Sequence, residues 1–194
     1  MAVSNPLVRF VVFASGSGSN AEALYQAVQQ GELRGQLVGI VSDKPDAYIF
    51  TRAKDWGIPL IAVSPKQYET KDAYETAVLS ILEELQAEWL VLAGYMRLIG
   101  PTLLAEFDGR IVNIHPSLLP AFPGKDAVGQ AFAHGVHVTG VTVHYVDAGM
   151  DTGPIIAQQA VNVQATREDT EACIHTVEHE LYKTALDQLW NEER

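Results

Sequence analysis

The sequence predicts an α/β fold with a mainly parallel central sheet, helices on both faces, and antiparallel strands in its C-terminal half. Three observations carry this. Short β-branched runs alternate with longer stretches of helical periodicity up to His115. A Gly/Ser-rich loop, Ser15-Gly16-Ser17-Gly18-Ser19-Asn20, lies where the first such run meets the first helical stretch, the strand–turn–helix order of an α/β unit. After His115 the alternation stops, and two β-rich runs follow one another across a Gly/Asp-rich loop, which suits antiparallel pairing at the edge of the sheet.

Each element has its own signal. Arg9–Ala14 (RFVVFA) reads as a buried strand, and Ala21–Gln30 as a helix with Leu24, Ala27 and Val28 on one face. Leu37–Ser42 is a second strand, Tyr48–Trp56 a helix and Leu60–Val63 a short strand. Lys71–Leu85 is a longer helix with Tyr74, Val78, Ile81, Leu82 and Leu85 on one face. Trp89–Leu92 and Ile111–His115 are further strands. Pro116, Pro120, Pro123 and Gly124 punctuate a loop that cannot be helical throughout. Ala127–His134 predicts a helix, Val138–Tyr145 and Ile155–Val163 predict strands around the loop Asp147–Gly153, and Glu168–Trp190 predicts a long terminal helix. Nothing reads as a linker or repeat, so one domain is expected over residues 1–194.

Composition narrows the function classes. The chain has 194 residues, 47% of them hydrophobic and 19% charged, which supports a sizeable core and rules out disorder as the main state. The single Cys173 allows no intramolecular disulfide and suits a reducing compartment. No apolar run approaches the ~18 residues of a membrane span, and Met1–Phe10 lacks the pattern of a secretory leader. The net charge of −11 argues against nucleic acid or anionic membranes as partners. The expectation is a cytoplasmic globular protein that holds any anionic ligand by local donors.

The glycine loop is the first such set of donors. Free N–H groups at a helix N-terminus attract an anion, glycines permit the tight turn, and Ser15, Ser17, Ser19 and Asn20 add polar groups. A capped strand–helix turn is the plainer reading of the same residues. The spacing Gly16-x-Gly18-x-x-Ala21, with Asp43 positioned 25 residues after Gly18, also fits a loose dinucleotide fingerprint. That keeps a dinucleotide-binding oxidoreductase or sensor open.

Asn113-Ile114-His115-Pro116 ends a predicted strand, so Asn113 and His115 project from one face at its C-terminal end. A carboxamide and a protonated imidazole there could stabilise an oxyanion, or they could form a structural pair closing a turn. Asp151, in Asp147-Ala148-Gly149-Met150-Asp151-Thr152-Gly153, could favour the charged form of a nearby imidazole, but spacing alone reads that loop as a turn. His175-Thr176-Val177-Glu178-His179 matches the H-x-x-E-H zinc pattern. No third ligand has defensible spacing, so a solvated helix face is the better reading and no metal is expected. His144, within a β-run, reads as a hydrogen-bonded core histidine, and Cys173 reads as packing. Gly94-Tyr95-Met96-Arg97-Leu98-Ile99-Gly100 directly follows a strand and could line an apolar slot, with Arg97 holding a polar ring, or simply pack there.

Taken together, these segments resemble the phosphoribosylglycinamide formyltransferases, folate-dependent enzymes of purine biosynthesis. The resemblance runs from Phe10 to Tyr182. It rests on Ala14–Asn20, Leu92–Arg97, Asn113-Ile114-His115-Pro116-Ser117-Leu118-Leu119-Pro120, His144-Tyr145-Val146 and Met150–Pro154. It implies the Rossmann-like formyltransferase fold, with a phosphate-binding half over about 1–100 and a catalytic and folate half over about 101–194. It also implies transfer of the formyl group of 10-formyltetrahydrofolate to the amine of glycinamide ribonucleotide, giving formylglycinamide ribonucleotide and tetrahydrofolate. On this resemblance Asn113, His115 and Asp151 are catalytic. The amine attacks directly, Asn113 and His115 stabilise the tetrahedral oxyanion, and Asp151 tunes His115. Gly18, Ser19, Asn20 and Glu178 bind the ribonucleotide. Lys71, Met96, Arg97, Leu98, Ile99, Asn113, Asp147, Ala148, Gly149, Met150 and Asp151 bind the folate.

One departure is Lys125-Asp126-Ala127, where some relatives carry histidines, so no histidine role is assigned there. Related deformylases and methionyl-tRNA formyltransferases carry an extra domain for which 194 residues leave no room, and the charge disfavours tRNA. The expected partners are the two small molecules alone, with the protein a monomer or weak homodimer.

Overall fold

The strand β1 (Val8–Phe13) is apolar at consecutive positions from Phe10 onward, the mark of a strand covered on both faces. In a computed structural model that describes residues 7–192, it lies near the middle of a seven-stranded sheet. The other strands are β2 (Gly35–Ser42), β3 (Leu60–Ala62), β4 (Trp89–Leu92), β5 (Ile111–His115), β6 (Val138–Tyr145) and β7 (Ile155–Asn162). Their order is β3-β2-β1-β4-β5-β6-β7. The first five of these pair in parallel, and β6 and β7 add on antiparallel, as the sequence predicts. Residues 1–6, the start of the segment read above for a leader, lie outside the described residues, as do 193–194.

The helices are α1 (Ser19–Gln30), α2 (Tyr48–Ala53), α3 (Lys71–Glu84), α4 (Pro101–Glu106), α5 (Ala127–His134) and α6 (Arg167–Glu192). Alternation along β1 divides the core. Phe10 and Val12 pack with Leu24 of α1, Ile49 of α2, and Tyr182, Leu186 and Trp190 of α6. Val11 and Phe13 pack on the other face with Tyr74, Val78 and Leu82 of α3 and Leu103 of α4. Fully burying each of these side chains is worth about 1.5–3 kcal/mol. Among the described residues no helix is long and apolar enough to cross a membrane.

Boundaries shift where local chemistry overrides periodicity. Gly18 adopts a left-handed φ of 73°, so α1 starts at Ser19 rather than Ala21. The second helix stops at Ala53, and Trp56 instead stacks on Tyr25 with ring centroids 4.3 Å apart. The helix α4, unexpected from sequence, spans 6 residues, too short to display a period, and opens with Pro101 at its first position. Buried Glu75 accepts the Gly100 N–H at 2.5 Å at that helix start. The Leu119–Pro120 peptide is cis.

From β1 the chain builds outward through β2 to β3 and then returns across β1 to β4. The loops after β1 and β4 therefore diverge at a topological switch point, the crevice where open α/β sheets bind ligands.

Candidate active site

The site begins with the way β5 faces. Val112 and Ile114 enter the core beneath α1 and α6, which turns Asn113 and His115 to the other side. Antiparallel register sets Asn113 opposite His144 on β6. Asn113 Nδ2 lies 3.2 Å from His144 Nε2, and His144 Nδ1 lies 2.8 Å from the Tyr145 carbonyl. A carbonyl can only accept, so His144 carries its hydrogen on Nδ1 and its Nε2 accepts from Asn113. Burial chiefly pushes the His144 pKa below the ordinary imidazole value, which favours this neutral form. Asn113 is thereby oriented, with its second N–H and its oxygen left for the cavity that it lines.

Asp151 closes the cluster. The loop after β6 is pinned by Asp147, which accepts the Gly149 N–H at 3.0 Å and the Thr152 hydroxyl at 2.6 Å. The Thr152 bond chiefly holds the Asp147 carboxyl below its usual range. Asp151 takes a left-handed φ of 55°, a conformation that costs an Asp of order 1 kcal/mol. Its Oδ2 accepts the Gly124 N–H at 2.7 Å and stands 3.5 Å from His115 Nδ1. Its Oδ1 is 3.8 Å from His144 Nε2. His115 Nε2 donates to the Phe122 carbonyl at 2.9 Å. The ring thus sets one nitrogen toward a carbonyl and the other toward a carboxylate, both hydrogen-bond acceptors. The spacing-based reading of Asp151 as only a turn residue gives way here, because the chain's return along β6 brings it to His115.

These side chains form the floor of a cavity of about 660 Å³, within the range of small-molecule sites. Met96, Arg97, Leu98 and Ile99 form one wall, and Asp147, Gly149 and Met150 form part of another. Met96 and Met150 keep 63% and 53% of their surface exposed, an apolar rim open to a flat ring. Arg97 lies over the Tyr74 ring at 5.5 Å, and the Tyr74 and Tyr95 hydroxyls meet at 2.7 Å. Burial, then that hydroxyl contact, pushes the Tyr95 phenol up, so it stays protonated.

Helix α6 supplies the far wall with Ile174, His175 and Glu178. His175 Nδ1 meets Glu178 Oε2 at 2.9 Å, a contact that chiefly raises the His175 pKa. Asn20 Nδ2 donates to the same oxygen at 3.4 Å. The loop Gly18–Asn20 does not itself line the cavity but joins it through this contact. Asn20 Oδ1 is buried without a hydrogen-bond partner. His179 is pushed below the ordinary imidazole value, chiefly by burial. Among the described residues no group of three or more His, Cys, Asp or Glu could hold a metal ion.

Two residues expected at the folate site lie outside the cavity lining. Lys71 Nζ is 4.0 Å from Glu75 Oε1, and Ala148 is not on the cavity wall. Asp43, the acid of the dinucleotide reading, accepts the Ser15 hydroxyl at 2.5 Å within the protein. Sequence reasoning missed His144 as a member of the site, along with the Phe122 carbonyl and the Gly124 N–H. Pairing the run Asn113–His115 antiparallel with His144–Tyr145 could have found His144. Backbone groups of a proline-punctuated loop leave no side-chain signal.

Comparison with known proteins supplies a family. The Formyl transferase family model matches residues 8–186. A phosphoribosylglycinamide formyltransferase of Bacillus subtilis (strain 168) is 52% identical over 183 residues, 93% of this chain and 94% of that protein. The crystal structure of phosphoribosylglycinamide formyltransferase from Bacillus halodurans superposes with a TM-score of 0.93 at 52% identity, covering 96% of this chain and 97% of that one. The trifunctional purine biosynthetic protein adenosine-3 of Drosophila melanogaster is 36% identical over 187 residues, and this chain spans 14% of that longer protein. With a family match across most of its length and a 52% identical relative covered nearly end to end, the chain belongs to the formyl transferase family, among the phosphoribosylglycinamide formyltransferases.

Proposed function

We propose that this enzyme transfers the formyl group of 10-formyltetrahydrofolate to the amine of glycinamide ribonucleotide, yielding formylglycinamide ribonucleotide and tetrahydrofolate in de novo purine biosynthesis. The observation that carries this reading is the convergence of Asn113, His115 and Asp151 on the floor of one cavity. That cavity has an apolar rim suited to a pterin, and Glu178 on its far wall is joined through Asn20 to the N-terminus of α1, suited to a phosphate.

In this reading Gly18, Ser19 and Asn20 hold the phosphate and Glu178 holds the glycinamide amine or ribose. The folate lies along Met96, Arg97, Leu98 and Ile99 and against Asp147, Ala148, Gly149, Met150 and Asp151. Lys71 stands toward its outer end. The neutral amine attacks the formyl carbon. The Asn113 amide and a protonated His115 stabilise the resulting oxyanion. The oxyanion draws Nε2–H of His115 away from the Phe122 carbonyl, since a charged oxygen is the stronger acceptor. Asp151 holds His115 in its charged form and helps order a water that relays the amine proton. The bond to N10 of the folate then breaks, and N10 takes a proton. About 1–100 carries the phosphate half and about 101–194 the catalytic and folate half, although the cavity wall at Met96–Ile99 comes from the first.

No metal takes part in this scheme. The partners are the two small molecules, without nucleic acid or membrane, and the protein acts as a monomer or weak homodimer. We place the reaction in the cytoplasm, where the lone Cys173 meets a reducing medium.

The test follows formyl transfer from 10-formyltetrahydrofolate, with and without glycinamide ribonucleotide, by the change in folate absorbance. Turnover only with the ribonucleotide is expected. Equal turnover without it indicates a hydrolase using water. No turnover in either case returns the glycine loop to nucleotide binding.

A further inference from the structure

Ser15 is 3% exposed and ties three segments together. Its hydroxyl donates to Asp43 Oδ1 at 2.5 Å and accepts the Met96 N–H at 2.9 Å. Its own N–H donates to the Gly94 carbonyl at 3.1 Å. A carboxylate can only accept, so Asp43 fixes where the hydroxyl hydrogen points and leaves an oxygen lone pair facing Met96.

The positions of these groups matter more than their number. Ser15 is the residue from which the glycine loop departs toward α1. Met96 begins the wall Met96–Ile99. Asp43 follows β2 and holds the junction from behind. On its other side the glycine loop is bound to α2, with Ile49 N–H donating to the Gly16 carbonyl at 3.1 Å and Arg52 Nε to the Ser17 carbonyl at 2.9 Å. A ligand that shifts the glycine loop therefore bears on Ser15, and through one hydroxyl on the start of the wall Met96–Ile99.

We propose that Ser15 and Asp43 are positioning residues that couple the two substrate subsites, so that each substrate binds more tightly when the other is present. The proposal rests on the assignment of the two subsites above. The loop and the wall form one hydrogen-bonded unit, so a shift that a ligand imposes on either is passed to the other. Whichever ligand binds first meets the cost of that shift, and the second binds to a surface already placed. Such coupling is reciprocal, and values of about 5-fold to 150-fold are typical. Asp43, conspicuous in the sequence as a candidate ribose ligand, acts instead through the Ser15 hydroxyl.

The test is calorimetric titration of 5-formyltetrahydrofolate into the protein, alone and saturated with glycinamide ribonucleotide. The ratio of the two dissociation constants is the readout. In the unaltered protein a ratio of about 5 or more is expected, and the reverse titration gives the same ratio. Ser15→Ala and Asp43→Ala each bring it toward 1. Asp43→Asn keeps it, because the amide oxygen still accepts from Ser15. A merely structural role lowers Tm and weakens both ligands without moving the ratio. A ratio of 1 in the unaltered protein overturns the coupling while leaving the subsites in place, and an unchanged ratio in Asp43→Ala overturns it also. Should Ser15→Ala fail to fold, as judged by circular dichroism, Asp43→Ala decides alone. If the unaltered protein binds neither ligand, the functional reading itself fails, and the proposal with it.

Discussion

The parallel and antiparallel parts of the sheet contribute to the cavity in different ways. At the ends of β1 and β4 the contribution is local. The short run Gly94–Ile99 departs from a buried strand to line the cavity, Ser15–Asn20 departs likewise and joins it through Asn20, and the position of each at the switch point is decided by the strand that it follows. At β5, β6 and the Asp147–Gly153 loop it is long-range. His115, His144 and Asp151 meet only because two antiparallel neighbours hold a particular register. The first kind of site can be read residue by residue, whereas the second needs the pairing to be known. The two regions also differ in vulnerability, because a local loop fails by losing a contact and a register-built cluster fails by losing charge balance.

Removing the oxyanion donors breaks the long-range cluster most severely. Asn113→Ala or His115→Ala should each lower turnover by ~10²–10³ while leaving the far-ultraviolet circular dichroism spectrum unchanged. Both side chains project from the face of β5 opposite the core residues Val112 and Ile114, so the fold survives. Equal turnover in either variant moves the chemistry elsewhere.

Asp151→Asn is the next step down. The substitution keeps shape and the Gly124 contact but removes the charge 3.5 Å from His115 Nδ1. A contact to a charged group is worth about 1.5–3 kcal/mol, so steady-state kinetics should show turnover reduced roughly 10-fold to 100-fold. A drop smaller than that of His115→Ala fits a tuning role, and an equal drop indicates that Asp151 itself handles the proton.

How much of this was legible in the sequence follows the same division. The strand Ile111–His115 was legible in full, and the shared face of Asn113 and His115 follows from strand geometry alone. The helix α4 was not, because its start is fixed by Glu75, distant in sequence, rather than by its own 6 residues. Asp151 read as a turn residue, and it does sit in a turn with left-handed φ, but its second role depends on where β6 returns the chain. His144 read as a hydrogen-bonded core histidine, and it is one. Its partner, however, is the Asn113 carboxamide, which makes a core residue part of the site.

That double role of His144 predicts a pH dependence. Burial places its folded pKa below the unfolded imidazole value near 6.5. The unfolded chain then takes up a proton that the native state refuses. The stability contribution is whole above that value, is lost as pH falls through it, and levels off below the folded pKa. His179 acts in the same direction, whereas His175, raised by Glu178, adds stability below about 6.5 and loses it as pH rises through its folded pKa. Denaturant unfolding between pH 7 and 5 should therefore show a shallower loss in His144→Gln than in the unaltered protein. Turnover should fall only at lower pH, as pH passes through the folded pKa, since a protonated His144 can no longer accept from Asn113. A 15N NMR titration that finds His144 charged at pH 7 removes this account.

The smallest effect expected is at Lys71, and it tests how far local reading reaches. Family resemblance places Lys71 by the folate, whereas its ammonium lies 4.0 Å from Glu75 with 47% of the side chain exposed. Glu75 is buried but the ammonium is half-exposed, and a contact at that distance with its cation in water contributes about 1 kcal/mol or less. Glu75 also keeps its bond to the Gly100 N–H, so it is not stranded when Lys71 is removed. Lys71→Ala should leave kcat unchanged and lower stability by no more than ~1 kcal/mol in a denaturant titration. The KM for a monoglutamyl folate should also be unchanged, because Lys71 lies outside the cavity lining. A rise in KM confined to folates with a long glutamate tail would give Lys71 the outer folate contact, reached by a flexible side chain that leaves Glu75 when an anion arrives. A rise for the monoglutamate as well would mean that the wall Met96–Ile99 takes its shape from α3 as well as from Ser15, and the local reading of that wall would then be incomplete.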